Sequence, residues 1–177
     1  MISTSPYSQR KLEFLRHFET AGDELDRPGK YNAAYREDDR KFMGFLIPPG
    51  KRVLELGCGR GQLLAALAPA YGVGVDFSAK AVAKAKALHP DLNFVLGDAE
   101  DPATLAGIEG PFDYIVIADT IGMFEDIDGT LSRVHHLCAP STRIIISYYS
   151  HLWEPILKLA EGLRLRSRQP KMAEGKT

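Results

Sequence analysis

Read for the spacing of its apolar residues, the chain changes character near residue 50. Before that point, YSQRKLEFLRHFETA (7–21) places Leu12, Phe14, Leu15 and Phe18 on roughly one helical face. YNAAYREDDRKFMGFL predicts a second helix after the turn at Pro28-Gly29, and Pro48-Pro49-Gly50 stops it. Within it, the charged run REDDRK reads most simply as a solvated face.

Beyond residue 50, short apolar runs alternate with helical patterns. Strands are predicted at about 52–56 (RVLEL), 71–75 (YGVGV), 92–96 (LNFVL), 112–118 (FDYIVIA) and 142–148 (TRIIISY). FSAKAVAKAKALHP has Ser78 to cap a helix and Pro90 to end it, and LSRVHHLCAPSTR supplies a helix before the fifth strand, closed by Pro140. Such alternation argues for a parallel sheet.

Composition narrows the function classes. With 177 residues, 45% hydrophobic, 25% charged and a net charge of -1, the chain is expected to form one domain with its own core. A pI near 6.5 speaks against nucleic acid as the main partner. Cys58 and Cys138 are too few for a disulfide scaffold and lack metal-ligand spacing, which suits a reducing cytosol. MISTSPYSQRKLEF has no apolar core for a signal peptide, and no run is long enough to span a bilayer. The expectation is a cytoplasmic protein with no membrane partner and no metal.

The chemistry concentrates in VLELGCGRGQLL (53–64), where a strand feeds a glycine turn that opens a helix. Such a turn lets backbone approach a ligand closely, with helix N–H groups nearby. Ligands of open parallel sheets sit beyond the carboxyl ends of the strands. Three acids follow three successive strands: Glu55, Asp76 and Asp98. The spacing of Asp76 from the glycines suits a carboxylate that accepts from two ribose hydroxyls. Each acid also has a simpler reading. Glu55 could satisfy backbone N–H groups, Asp76 could cap the next helix, and Asp98 could make a turn.

Taken together, these motifs resemble those of the class I S-adenosylmethionine-dependent methyltransferases. VLELGCGRG is similar to their motif E/D-x-G-x-G-x-G, with Glu55, Gly57, Gly59 and Gly61 in register; GVGVDFS, FVLGDAED and FDYIVIADTIGMFEDI are similar to the next three, over about residues 50–163. The resemblance implies a Rossmann-like three-layer sandwich, strand order 3-2-1-4-5, with S-adenosyl-L-methionine as cofactor. It implies that Gly57 and Gly59 pass under the methionine part, which Glu55 organises, while Asp76 takes the ribose hydroxyls. Phe77 then packs on adenine, Asp98 accepts from its amino group, and the Ala99 N–H meets a ring nitrogen. Asp119 would face the methionine amino group and the acceptor, or cap a helix. A nicotinamide dinucleotide fits less well, because Gln62 stands where G-x-G-x-x-G needs its last glycine. A non-catalytic binding domain on the same fold is the other alternative.

Methyl transfer needs no dedicated base unless the acceptor is a hydroxyl. His151 is then the leading candidate, followed by Asp119 and Tyr148. His135 and His136 lie in a helical stretch, and Cys58 matters more for its size than for its thiol. No Asn/Asp-Pro-Pro-Tyr/Phe motif follows the fourth strand, which points to a small-molecule or sugar-linked acceptor, and YYSHLWEPILKLAEGL resembles modules associated with glycosyltransferases. The expected division is a helical lead-in or lid (1–49, with Tyr31 and Tyr35), a core (50–163) and a polar tail (164–177). In the family an antiparallel hairpin follows the fifth strand; here it is expected to be absent, leaving an apolar edge for self-association and marginal activity.

Overall fold

A computed structural model of the chain describes residues 7–21, 30–148 and 159. Two helices open it, α1 (Gln9–Ala21) and α2 (Lys30–Leu46). The alternating part runs β1 (Arg52–Leu56), α3 (Gln62–Ala66), β2 (Tyr71–Asp76), α4 (Ala79–Leu88), β3 (Asn93–Leu96), α5 (Pro102–Ala106), β4 (Phe112–Ala118), α6 (Ile127–Val134) and β5 (Cys138–Ser147). All strand pairs are parallel and the order is β3-β2-β1-β4-β5, as the sequence implied.

Alternation along the central strands builds two cores. Leu54, Leu56, Val73, Val75, Ile115 and Ile117 face α5 and α6, where Leu105, Val134 and Leu137 cover them. Val53, Tyr114 and Val116 point the other way, against Met43 and Ile47 of α2, Leu64 of α3 and Val82 and Ala85 of α4. The period-2 pattern puts Glu55 and Asp76 on this second face, at the strand ends. Ser78 caps α4 by accepting from Ala81 N at 3.2 Å, as its place in the sequence suggested.

The helix before β5 ends earlier than its sequence pattern indicated. α6 stops at Val134, a 3-10 turn carries exposed His135 and His136, and β5 begins at Cys138, so Pro140 lies within the strand instead of closing a helix. The register explains this. Phe112 pairs with Cys138 but Tyr114 with Arg143, so β5 carries extra residues there, and Pro140 sits in that bulge where no ladder N–H is required. Thr142 closes it, accepting from Ala139 N at 2.7 Å and donating to Phe112 O at 2.5 Å.

Among the described residues β5 is the sheet edge, with Ile144 and Ile146 partly exposed. No described helix is long and apolar enough to cross a membrane. His151 and the tail after it, Leu159 excepted, lie outside the described residues, as do the side chains of Tyr31 and Tyr35.

Candidate functional site

The glycine turn after β1 is fastened to the end of β2. Gly57 N and Cys58 N both donate to Val75 O, at 2.8 and 3.0 Å, and Gly59 N donates to Asp76 Oδ2 at 2.8 Å. All three glycines have positive φ, but for different surroundings. A Cβ on Gly57 would overlap the Thr120 side chain, and one on Gly61 would overlap Phe94. Beside Gly59 there is open space. Gly57 and Gly61 therefore serve packing, and Gly59 presents bare backbone to the space above the strands. Cys58 fills the gap against Gly74, and burial pushes its thiol far up, so it is packing and not a nucleophile.

That space is a cavity of about 330 Å³. Glu55, Gly57, Gly59, Asp76, Phe77, Asp98, Ala99 and Asp119 all line it; of the described candidates, Gly61 and Tyr148 do not. Several of the simpler readings hold at the same time. Asp76 Oδ1 accepts from Ser78 N at 2.9 Å and Asp98 Oδ1 from Glu100 N at 2.9 Å. Glu55 Oε2 accepts from Leu64 N at 3.1 Å, which caps the third position of α3, where Gly61 has no side chain to do so. These contacts fix each carboxylate in direction without removing it from the cavity.

Electrostatics set the Glu55 end apart. Glu55 is 4% exposed, and burial pushes its carboxyl up to about 8; the Leu64 N–H works against this, while the charges of Asp76 and Asp39 add to it. Burial likewise raises Asp76, against the N–H groups of Ser78 and Gly59. Asp119 closes β4 in a left-handed conformation (φ 53°) that aims the chain back over the cavity, and its N–H donates to Ser147 O at 3.0 Å.

The roof comes from the first two helices, and its chemistry was not legible beforehand. Lys11 of α1 bridges Asp98 and Glu100. Burial works against its ammonium, yet the hydrogen bonds to the two carboxylates win and raise its pKa. Glu100 also accepts from Glu125 N and Asp126 N, at 2.9 and 2.7 Å. At the far end of α1, Glu19 accepts from Ser78 Oγ at 2.9 Å, and Phe18 meets Phe77 edge-on, centroids 6.4 Å apart. From α2, Asp39 and Arg40 line the cavity. The run REDDRK is thus only partly a solvated face: Glu37 and Asp38 are exposed, but the next residue turns inward.

Comparison with known proteins agrees with this geometry. The chain is 36% identical over 105 residues to a demethylmenaquinone methyltransferase of Beutenbergia cavernae, covering 58% of this chain and 42% of that protein. It is 32% identical over 121 residues to a nocamycin O-methyltransferase of Saccharothrix syringae, covering 62% and 42%. The chain spans about half the length of the curated relatives it matches. The fold is that of magnesium protoporphyrin IX methyltransferase from Synechocystis, solved with bound SAH: TM-score 0.64, 22% identity, 88% of this chain and 80% of that one. The family described as a methyltransferase domain matches residues 27–173, and the chain belongs to it.

Proposed function

We propose that the cavity binds S-adenosyl-L-methionine and that the chain transfers its methyl group to a small-molecule acceptor. The observation that carries this reading is the convergence of Glu55, Asp76, Asp98 and the open backbone of Gly59 on one cavity. Adenine lies at the β3 end, between Phe77 and the Asp98–Ala99 turn. Asp76 takes the ribose hydroxyls on the lone pairs left free by Gly59 N and Ser78 N. Glu55 receives the methionine ammonium, and Asp119 stands between it and the acceptor.

The cofactor brings a methyl group already activated on a sulfonium, so the chain's own work is alignment and exclusion of water. Phe14, Phe18, Met123 and Phe124 line the cavity with apolar surface suited to that exclusion. For a hydroxyl acceptor, His151 is the base we propose. The names of the relatives, acting on a menaquinone precursor, norajmaline and nocamycin, support a small, drug-sized acceptor, sugar-linked or free.

Calorimetry with S-adenosylmethionine and S-adenosylhomocysteine tests the reading directly. We expect binding, weakened by about 1–3 kcal/mol in Asp76→Ala, the range for hydrogen bonds to a charged group. No heat from the folded protein at millimolar ligand would overturn it. Screening acceptors for consumption of the cofactor then identifies the second substrate.

A further inference from the structure

The inward stripe of α2 runs Asp39, Met43, Ile47, at i, i+4 and i+8. Met43 and Ile47 are fully buried in the core against Val53 and Leu64. The stripe's first position is a carboxylate, and it opens into the cavity. An apolar residue there would extend the core without cost, whereas a carboxylate must be desolvated. Burial is the first cause of its raised pKa and the charge of Asp119 the second. Ser147 and the charge of Arg40 offset part of this; Arg40 also donates to Glu37 at 2.8 Å, and Lys11 is closed on Asp98 and Glu100 at the opposite end of the cavity. Asp39 lines the same cavity as Glu55 at the end of β1 and Asp119 at the end of β4, and its charge acts on Glu55.

We propose that Asp39 is the residue by which this site recognises positive charge at the cofactor's sulfur, so that it separates the methyl-bearing sulfonium from the neutral thioether product. The inference rests on the cofactor placement given above. With adenine at Asp98, ribose at Asp76 and the methionine ammonium at Glu55, the sulfur falls between the ends of β1 and β4, under the point where α2 delivers Asp39. Methyl transfer forms the bond from the acceptor to carbon and breaks the bond from sulfur to carbon. The electron pair stays on sulfur, and the proton of a hydroxyl acceptor leaves to the proposed base, His151. Sulfur thereby loses its charge, and Asp39 loses the cation that adds to what Ser147 and Arg40 supply. The same carboxylate that favours the substrate form disfavours the product form, which promotes release. Because Asp39 is half-buried at a cavity lined by Phe14, Phe18 and Phe124, one charge counts for more here than on the open surface.

The test is calorimetry of three ligands on wild type and variants: S-adenosylmethionine, S-adenosylhomocysteine, and sinefungin, which carries an amine where the cofactor has its sulfonium. Asp39→Asn is expected to weaken the two cationic ligands about ten-fold, a modest share of a charge pair at contact, and to leave the thioether within about two-fold. Asp39→Leu, which completes the apolar stripe, is expected to do the same and guards against a folding defect peculiar to the amide. Asp38→Asn, on the exposed face, is the control and changes none of the three. An equal loss for all three ligands, or no loss for any, overturns the role of Asp39. Failure of the folded wild type to bind any of them overturns instead the cofactor placement on which this inference rests.

Discussion

The two ends of the cavity treat their carboxylates differently. At the β2–β3 end, Asp76 and Asp98 are held by the protein's own donors: Gly59 N and Ser78 N on one, Glu100 N and Lys11 on the other. At the β1–β4 end, burial raises both Glu55 and Asp39; the charges of Asp76 and Asp39 add to the first and that of Asp119 to the second. The first end is organised before a ligand arrives and loses little on binding. The second holds carboxyl groups that burial pushes toward the neutral form, Glu55 most of all, and that a cation returns toward the ionised form. A cofactor neutral at its adenine end and cationic at its methionine end fits this division.

The largest effect expected from it concerns Glu55. Its carboxyl titrates at about 8 in the folded chain against an ordinary 4.5. Between these values the folded state holds a proton that the unfolded chain has lost, so stability falls as pH rises through the window and levels off above about 8. The change is about 5 kcal/mol across the window if the whole shift is expressed. Glu55→Gln should flatten that slope in urea titrations at pH 5, 6.5 and 8, and should be the more stable protein at pH 8. A saturating cationic cofactor favours the ionised form, so its binding should release a proton near pH 7, seen as a dependence of the binding heat on the buffer. A slope unchanged by Glu55→Gln would mean that this end carries no unusual charge.

The glycine turn joins the two ends, and its three glycines should separate in experiment. Gly57→Ala must displace Thr120 while adopting φ 79°, which we expect to destabilise by about 3 kcal/mol. Gly59→Ala meets open space and pays only for φ 52°, about 1 kcal/mol, yet should lose most cofactor affinity because its methyl group enters the cavity. Equal destabilisation of the two, with binding intact in Gly59→Ala, would remove Gly59 from the ligand's path.

Lys11 tests the organised end. Lys11→Met leaves two adjacent carboxylates without their shared cation, and a loss of about 2 kcal/mol is expected in thermal melts. Adding Asp98→Asn and Glu100→Gln should recover most of it, since the cost lies in the uncompensated charges. If the triple variant is no more stable than Lys11→Met, the cation serves α1 packing alone.

How far this was readable follows from where each residue finds its partners. The strands announce themselves because buried β residues are apolar whatever lies across from them, and Glu55, Asp76 and Asp98 follow strands whose order brings their ends together. Lys11 gave no such signal: its partner Asp98 is 87 positions away, and only the docking of α1 decides the meeting. Asp39 was readable in part, since its spacing from Met43 and Ile47 places it on the buried stripe. Its charged neighbours masked that phase, because a run of six consecutive charged residues suggests solvent before it suggests a face. Pro140 misled for a related reason: proline ends a helix, but it is equally at home in an edge-strand bulge, and only the pairing of β4 with β5 distinguishes the two.

The smallest effect expected lies where α1 meets the adenine end. Phe18 and Phe77 make an edge-on contact, and both line the cavity. In the proposed placement Phe77 stacks on adenine, and Phe18 meets its ring edge-on. Replacing Phe18 with Leu keeps the apolar surface of α1 but removes the ring edge, so the fold should hold while cofactor affinity falls by about 1 kcal/mol, the worth of one aromatic pair. Phe77→Leu should cost more, because it removes the stacking face itself, and the double variant should cost no more than Phe77→Leu alone. That non-additivity distinguishes restraint of one ring by another from two independent contacts with the ligand. Hydrogen exchange supplies the second readout: if α1 works by holding Phe77, its amides gain protection on cofactor binding in wild type and gain less in Phe18→Leu. Equal protection in the two proteins would show that α1 is packed in place regardless of the adenine, and that the organised end owes its order to Lys11 and Glu19 alone.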